Sequence, residues 1–313
     1  MRALLLSFVF VFAAAPAFSQ TIAITNGKVY PVSGPPVSNA TVLIRDGLIV
    51  AVGAQVSVPA GAQTIDATGK IVTPGLINSI TELGVIEIDL VRNTSDVSAK
   101  GNNNIAASFR VWDGLNPASA LFAPARNEGV TTAIVVPQGG LVSGQAAAID
   151  LVTGQRTDMI RRPAVAMVAQ VDNTNNAGTS ARGELIGKLR TLLEDVTSYL
   201  NHRNDYERAA LRTLSASRAD LEALDPVIQG KMLLLIEANR VDEIDAAIAL
   251  AREYHLKIAI AGGAEAWLCA DRLAAARVPV LTGAMDNIPE SFATLNQRQE
   301  NAALLRKAGV QVV

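Results

Sequence analysis

The sequence predicts an α/β protein: a small antiparallel β module followed by a larger domain in which strands alternate with helices. Residues 21–73 are short β-branched runs broken by turn dipeptides. After them the rhythm changes to continuous Val/Ile/Leu runs separated by stretches of helical periodicity. At 313 residues, half of them apolar, the chain exceeds one small domain and holds enough aliphatic material for a large core.

Residues 1–19 read as an export signal. Met1-Arg2 gives a positive start, Ala3 to Ala15 is uncharged and apolar, and Pro16-Ala17-Phe18-Ser19 supplies small residues for cleavage after Ser19. The run is shorter than the roughly 20 apolar residues that a spanning helix needs. No cysteine follows the cut, so no lipid anchor is expected. The mature protein is expected to be periplasmic or secreted, and not membrane-bound.

The β module covers residues 20–73, where Asn26-Gly27, Asp46-Gly47 and Thr68-Gly69 separate runs at 21–24, 28–32, 41–44, 48–52 and 64–65. Asp46-Gly47 between two alternating apolar runs is the strongest hairpin signal in the chain. Residues 74–313 form the second domain. Strands are expected at 71–77, 131–136, 165–171, 232–236, 257–261, 278–281 and 310–313, as runs suited to a parallel sheet covered on both faces. Leu185, Leu189, Leu192, Leu193, Val196 and Leu200 recur at helical spacing, as do Ile244, Ala247, Ile248 and Ala251. Such units make either a doubly wound sheet or a closed β/α barrel. The run at 310–313 follows a helix and opens a strand, so a further strand is expected beyond Val313.

Composition narrows function. A net charge of -2 gives no basic field for a nucleic acid. The single cysteine, Cys269, excludes an intrachain disulfide and a multi-thiolate zinc site, and two histidines, His202 and His255, cannot build a multi-histidine centre.

Gly69-Lys70-Ile71-Val72-Thr73-Pro74-Gly75-Leu76-Ile77-Asn78 resembles the segment that opens the barrel in the amidohydrolase superfamily, in a subgroup similar to imidazolonepropionases. Gly129-Val130-Thr131-Thr132, Ser143-Gly144-Gln145-Ala146 and Gly262-Gly263-Ala264-Glu265-Ala266-Trp267 extend the likeness toward the chain end. The resemblance implies a small β-sandwich module and a (β/α) TIM-type barrel, incomplete at its C-terminus. It also implies hydrolysis of a non-peptide carbon–nitrogen bond in a cyclic amide or related small molecule, with one or two divalent ions such as zinc. The pattern departs from the family where chemistry is expected. Asn78 stands at the aspartate, Ile80 and Glu82 stand where two metal-binding histidines belong, Glu237 stands where the family segment has a histidine, and Ala261-Gly262-Gly263 falls where a further histidine is common. The water-activating aspartate would lie past Val313. No metal is therefore expected in this chain, and a catalytically inactive homologue is the alternative.

Glu82 and Glu237, expected at or just beyond strand C-terminal ends, are candidate hard ligands or an acid/base pair; as a structural alternative they fill vacated positions, with Arg240 as partner of Glu237. Asp172, Asn239, Glu265 and Asp286 are the candidate ligand contacts, although Asn/Asp clusters also serve ordinary turns. The glycine-rich stretch 138–145 reads as a loop and lacks the Lys-Ser/Thr ending of a phosphate-binding loop. His202 is expected on a solvated face, His255 at a helix end, and Cys269 as a buried thiol. The expected partners are a small molecule and a second subunit, either another copy or an active relative.

Overall fold

The structure is a computed structural model that describes residues 20–88, 90–99, 104–171, 181–283, 289 and 291–313. The chain divides between Gly75 and Leu76 into two compact units.

The first unit holds strands β1 (Thr21–Val29), β2 (Val37–Arg45), β3 (Leu48–Gly53), β4 (Gln63–Asp66) and β5 (Ile71–Val72). β2 and β3 form the expected hairpin, with Asp46 and Gly47 at φ 51° and 77° in the left-handed region that such a tight turn requires. Two expectations are corrected. The sheet is mixed rather than purely antiparallel: it runs β3-β2-β1-β4, and both β4 and β5 pair with β1 in parallel, because the loop after β3 carries the chain back across to the free edge of β1. Asn26-Gly27 is not a turn between strands but a bulge inside β1, where the register with β2 shifts and Asn26 takes φ 61°. Glycine is needed there because a Cβ on Gly27 would lie 2.8 Å from a Val72 methyl. Ala23, Val29, Ala40 and Val42 are buried in this unit.

The second unit is a seven-stranded sheet in sequential order that curls into a nearly closed barrel: β6 (Leu76–Thr81), β7 (Val130–Val135), β8 (Val142–Asp150), β9 (Ile160–Gln170), β10 (Leu233–Ala238), β11 (Ile258–Gly262) and β12 (Val280–Leu281). Its helices are α1 (Phe122–Asn127), α2 (Arg156–Met159), α3 (Arg182–Asn201), α4 (Arg203–Glu207), α5 (Arg218–Ile228), α6 (Val241–Tyr254), α7 (Ala270–Ala276) and α8 (Asn301–Lys307). The expected strand at 71–77 is split, since Ile71–Val72 joins the first unit and Leu76 begins the barrel. Pro74 between them has no N–H to offer a ladder. The stretch 138–145, expected as a loop, contains the start of β8, which is antiparallel to both neighbours. Its Ala146-Ala147-Ala148 centre has low strand propensity and gave no strand signal. At the other edge Val312 bridges Val280 in parallel, with Val313 N–H donating to the Val280 carbonyl at 3.0 Å.

Alternation along the strands sorts the core into two layers. Ile80, Ile134, Ala146, Ala166, Val168, Leu235, Ala259, Ala261 and Leu281 belong to one apolar cluster that fills the barrel. Met167, Ala169, Leu234, Ile236, Ile258 and Ile260 face the opposite way and pack with Leu185, Leu189, Leu192 and Leu193 of α3 and with Ile244 and Ala247 of α6. Gly144 in β8 has φ 128°, and a Cβ there would lie 2.7 Å from the Phe109 carbonyl oxygen. The clash is with a backbone atom and the φ is one that L residues rarely adopt, so Gly144→Ala is expected to lower stability by about 2–3 kcal/mol. Urea unfolding measures it, and an unchanged midpoint would contradict this packing.

Candidate functional site

The inner face of the barrel turns from apolar to polar at the C-terminal ends of its strands. Two residues beyond Ile80 stands Glu82; two beyond Val136, Gln138; two beyond Val168, Gln170; two beyond Leu235, Glu237; two beyond Ala261, Gly263. Side chains two apart on a strand share a face, which places Gln170 on β9 and Glu237 on β10; Glu82 and Gln138 lie just past the ends of β6 and β7 and line one cavity with Ile80 and Val136.

Gln170 is fully buried, and its Nε2 donates to Glu237 Oε2 at 2.8 Å. Its Oε1 is buried without a hydrogen-bond partner, as is Ser143 Oγ in β8. Such orphan polar groups cost about 1–3 kcal/mol each unless a partner arrives, a donor for the Gln170 oxygen and a donor or an acceptor for the Ser143 hydroxyl. Glu82 borders a cavity of about 510 Å³ together with Ile80, Glu87, Leu121, Val136 and Gln138. Glu87 is fixed by Asn116 Nδ2, at 2.8 Å, and by Ser119 Oγ, at 3.0 Å, both donating to its carboxylate. Among the described residues no lysine or arginine lines this cavity, and its polar side chains are the Glu82 and Glu87 carboxylates, the Gln138 amide and the Thr81 hydroxyl.

The structure thus brings Glu82 together with Glu87, and Glu237 together with Gln170. Glu237 does not line the Glu82 cavity. Arg240, the partner expected for Glu237, pairs with Asp242 at 3.1 Å and lies over the Phe292 ring. Asn239 and Glu265 brace loops: Asn239 N–H donates to Glu243, its side-chain oxygen accepts from Ala264 N–H at 3.4 Å, and Glu265 accepts from Val241 N–H and from Asn296 at 2.9 and 2.7 Å. Asp172 and Asp286 lie outside the described residues. His202 is exposed beyond the C-terminus of α3, and His255 caps α6 in the left-handed region at φ 55°. Cys269 is buried, and that burial pushes its thiol up to about 11. Gln170 and Glu87 escaped the sequence reading. Counting by twos from Ala166 and Val168 reaches Gln170 as the first polar residue of that face, whereas no periodic signal marks Glu87.

A divalent ion of the kind the resemblance implies does not fit these residues. Ile80 belongs to the apolar plug, Gln170 offers a neutral amide, and among the described residues no group of three His, Cys, Asp or Glu side chains could hold a metal. No helix of the described residues is long and apolar enough to cross a membrane.

No protein-family model matches the chain. A dihydroorotase from Geobacter metallireducens is 33% identical over 110 residues, covering 33% of this chain and 26% of that protein. An imidazolonepropionase from Mesorhizobium japonicum is 34% identical over 85 residues, covering 24% of this chain and 21% of that protein. These matches span about a quarter or less of the curated relatives' length. An amidohydrolase from Thermotoga maritima has the same fold: its crystal structure superposes with a TM-score of 0.83 at 23% identity, covering 93% of this chain and 77% of that one.

Proposed function

We propose that this chain is an amidohydrolase-superfamily protein of the imidazolonepropionase-like kind, and that its barrel mouth binds a small cyclic amide or related molecule through N–H groups. One observation carries the reading: the inner face ends in acceptors, with Glu82 and Glu87 on one cavity and the buried, unpartnered Gln170 Oε1 beside Glu237. An amide or urea ring presents N–H donors on its edge, which such acceptors satisfy.

The histidines of the family pattern are replaced in this proposal by Ile80, Glu82 and Glu237, so the chain binds its ligand without a metal centre. A catalytically inactive homologue, working as a small-molecule-binding subunit alone or beside an active relative, follows from that. The second reading is hydrolysis of the ring carbon–nitrogen bond, favoured by the local likeness to a dihydroorotase and an imidazolonepropionase. Export by residues 1–19 to the periplasm or beyond belongs to the same proposal.

Elemental analysis at micromolar zinc, together with calorimetric titration of hydantoin and an assay of dihydroorotate ring opening, separates the readings. Expected are no stoichiometric zinc, hydantoin binding, and a loss of affinity of about tenfold in Glu87→Gln, where a charge-assisted acceptor is removed. Stoichiometric zinc with turnover would establish the hydrolase instead.

A further inference from the structure

At the N-terminal ends of β10, β11 and β12, opposite to Gln170 and Glu237, the barrel carries a second cleft of about 390 Å³. Its floor is apolar, from Leu233, Ile248, Ile258 and Val278. Its border carries three cations from three separate segments: Arg252 in the last turn of α6, Lys257 in the turn before β11, and Arg277 after α7. All three are exposed. Among the described residues no carboxylate lines the cleft, and none of the three is in an ion pair. Nearby arginines are matched, Arg190 to Glu253 at 2.9 Å and Arg272 to Asp245 at 2.7 Å. In a chain of net charge -2, three unmatched cations converging on one apolar cleft are a local excess of positive charge.

Helix dipoles do not use up these charges. The Ala251 carbonyl at the end of α6 accepts the Leu256 N–H at 2.9 Å, and the Leu273 carbonyl of α7 accepts the Val278 N–H at 3.0 Å. The N-terminal face of a barrel ordinarily serves stability, which requires neither an open cleft nor a ring of cations.

We propose that this cleft binds a small monocarboxylate with an apolar body. The carboxylate sits among Arg252, Lys257 and Arg277, where guanidinium groups can grip it with two parallel hydrogen bonds. The body lies over Leu233, Ile248 and Ile258. A cleft of 390 Å³ falls within the range of small-ligand sites and accepts a chain of about eight carbons. The proposal does not depend on what the barrel mouth binds.

Calorimetric titration of the whole chain with octanoate, and with octanamide as a neutral match of the same shape, tests it. Octanoate is expected to bind once per chain, octanamide about tenfold more weakly or worse, and octanoate affinity should fall with added salt. Arg252→Ala, Lys257→Ala and Arg277→Gly should each weaken octanoate by about five- to tenfold. Glycine is chosen at 277 because Arg277 has φ 53°. The three side chains are exposed, so the variants keep their fold, which unchanged thermal unfolding verifies. No binding of octanoate, equal binding of octanamide, or variants that bind octanoate like the parent would each overturn the proposal.

Discussion

Ile80→His, Glu82→His and Glu237→His combined are expected to give a protein that retains about one zinc ion per chain through gel filtration, where the parent retains none. Residue 80 is in β6 and residue 82 just past its end, and both line the same cavity, so their imidazoles would meet there. Leu235, two residues before Glu237, belongs to the same apolar cluster as Ile80. Burying an imidazole at position 80 costs about 1–3 kcal/mol. Apparent zinc-binding free energies in small four-ligand domains reach roughly 10–16 kcal/mol, so even half of that leaves a surplus. Elemental analysis reads the result. A folded triple variant that stays free of zinc would mean that these positions do not converge, and the proposed correspondence with the family's metal histidines would fall with it.

Asp195→Ala is expected to lower stability by about 2 kcal/mol, a fall in melting temperature of roughly 4–8 °C. Asp195 sits on α3 with no exposed surface, accepting the Ser215 N–H at 2.6 Å and the guanidinium of Arg212. Its removal takes the acceptor from the Ser215 N–H and the partner from Arg212, and detaches the loop before α5 from α3. Burial alone would raise the carboxyl's pKa, but the Ser215 hydrogen bonds and Arg212 outweigh it and hold the group below its ordinary value of 3.8. The native pKa is therefore depressed relative to the unfolded chain. The stabilisation is present in full above the unfolded value and is lost as the pH falls through the lowered native one. Urea unfolding of parent and variant at pH 7 and near pH 2 should show the gap closing in acid. A gap independent of pH would assign the loss to packing rather than to the charge.

The elements that were legible in the sequence have a local signature. The Asp46-Gly47 hairpin needs two left-handed residues in succession, and the dipeptide states this directly. α3 is written in Leu185, Leu189, Leu192, Leu193 and Val196, all buried as their spacing requires. The runs near β10 and β11 are continuous because each is covered on both faces. Where the signal failed, it failed for identifiable reasons. β8 is rich in alanine and glycine and reads as a loop, yet every residue of Val142–Ile149 except Gln145 is buried, because two neighbouring strands supply the pairing that propensity does not. The strand expected at 71–77 conceals a change of partner: the same apolar run serves two sheets, and pairing partners are not encoded in periodicity.

The polar mouth divides in the same way. Glu82 and Glu237 were visible as carboxylates at strand ends, and Ile80 as a residue that cannot ligate anything. Asn239 and Glu265 also stood near a strand end, but the structure ties them to Glu243, Val241, Ala264 and Asn296. Their neighbours in space, not their positions in the chain, give them that role. By itself the sequence determined the alternation of strand and helix, the hairpin and the aliphatic core, because each is a property of residues a few positions apart. Only the tertiary structure decided that β4 and β5 run parallel to β1, that β8 completes the sheet, that Glu87 joins Glu82 and that Gln170 holds Glu237. Apart from the short step from Glu82 to Glu87, those pairings span tens of residues, and their energy comes from contacts that exist only once the chain has folded.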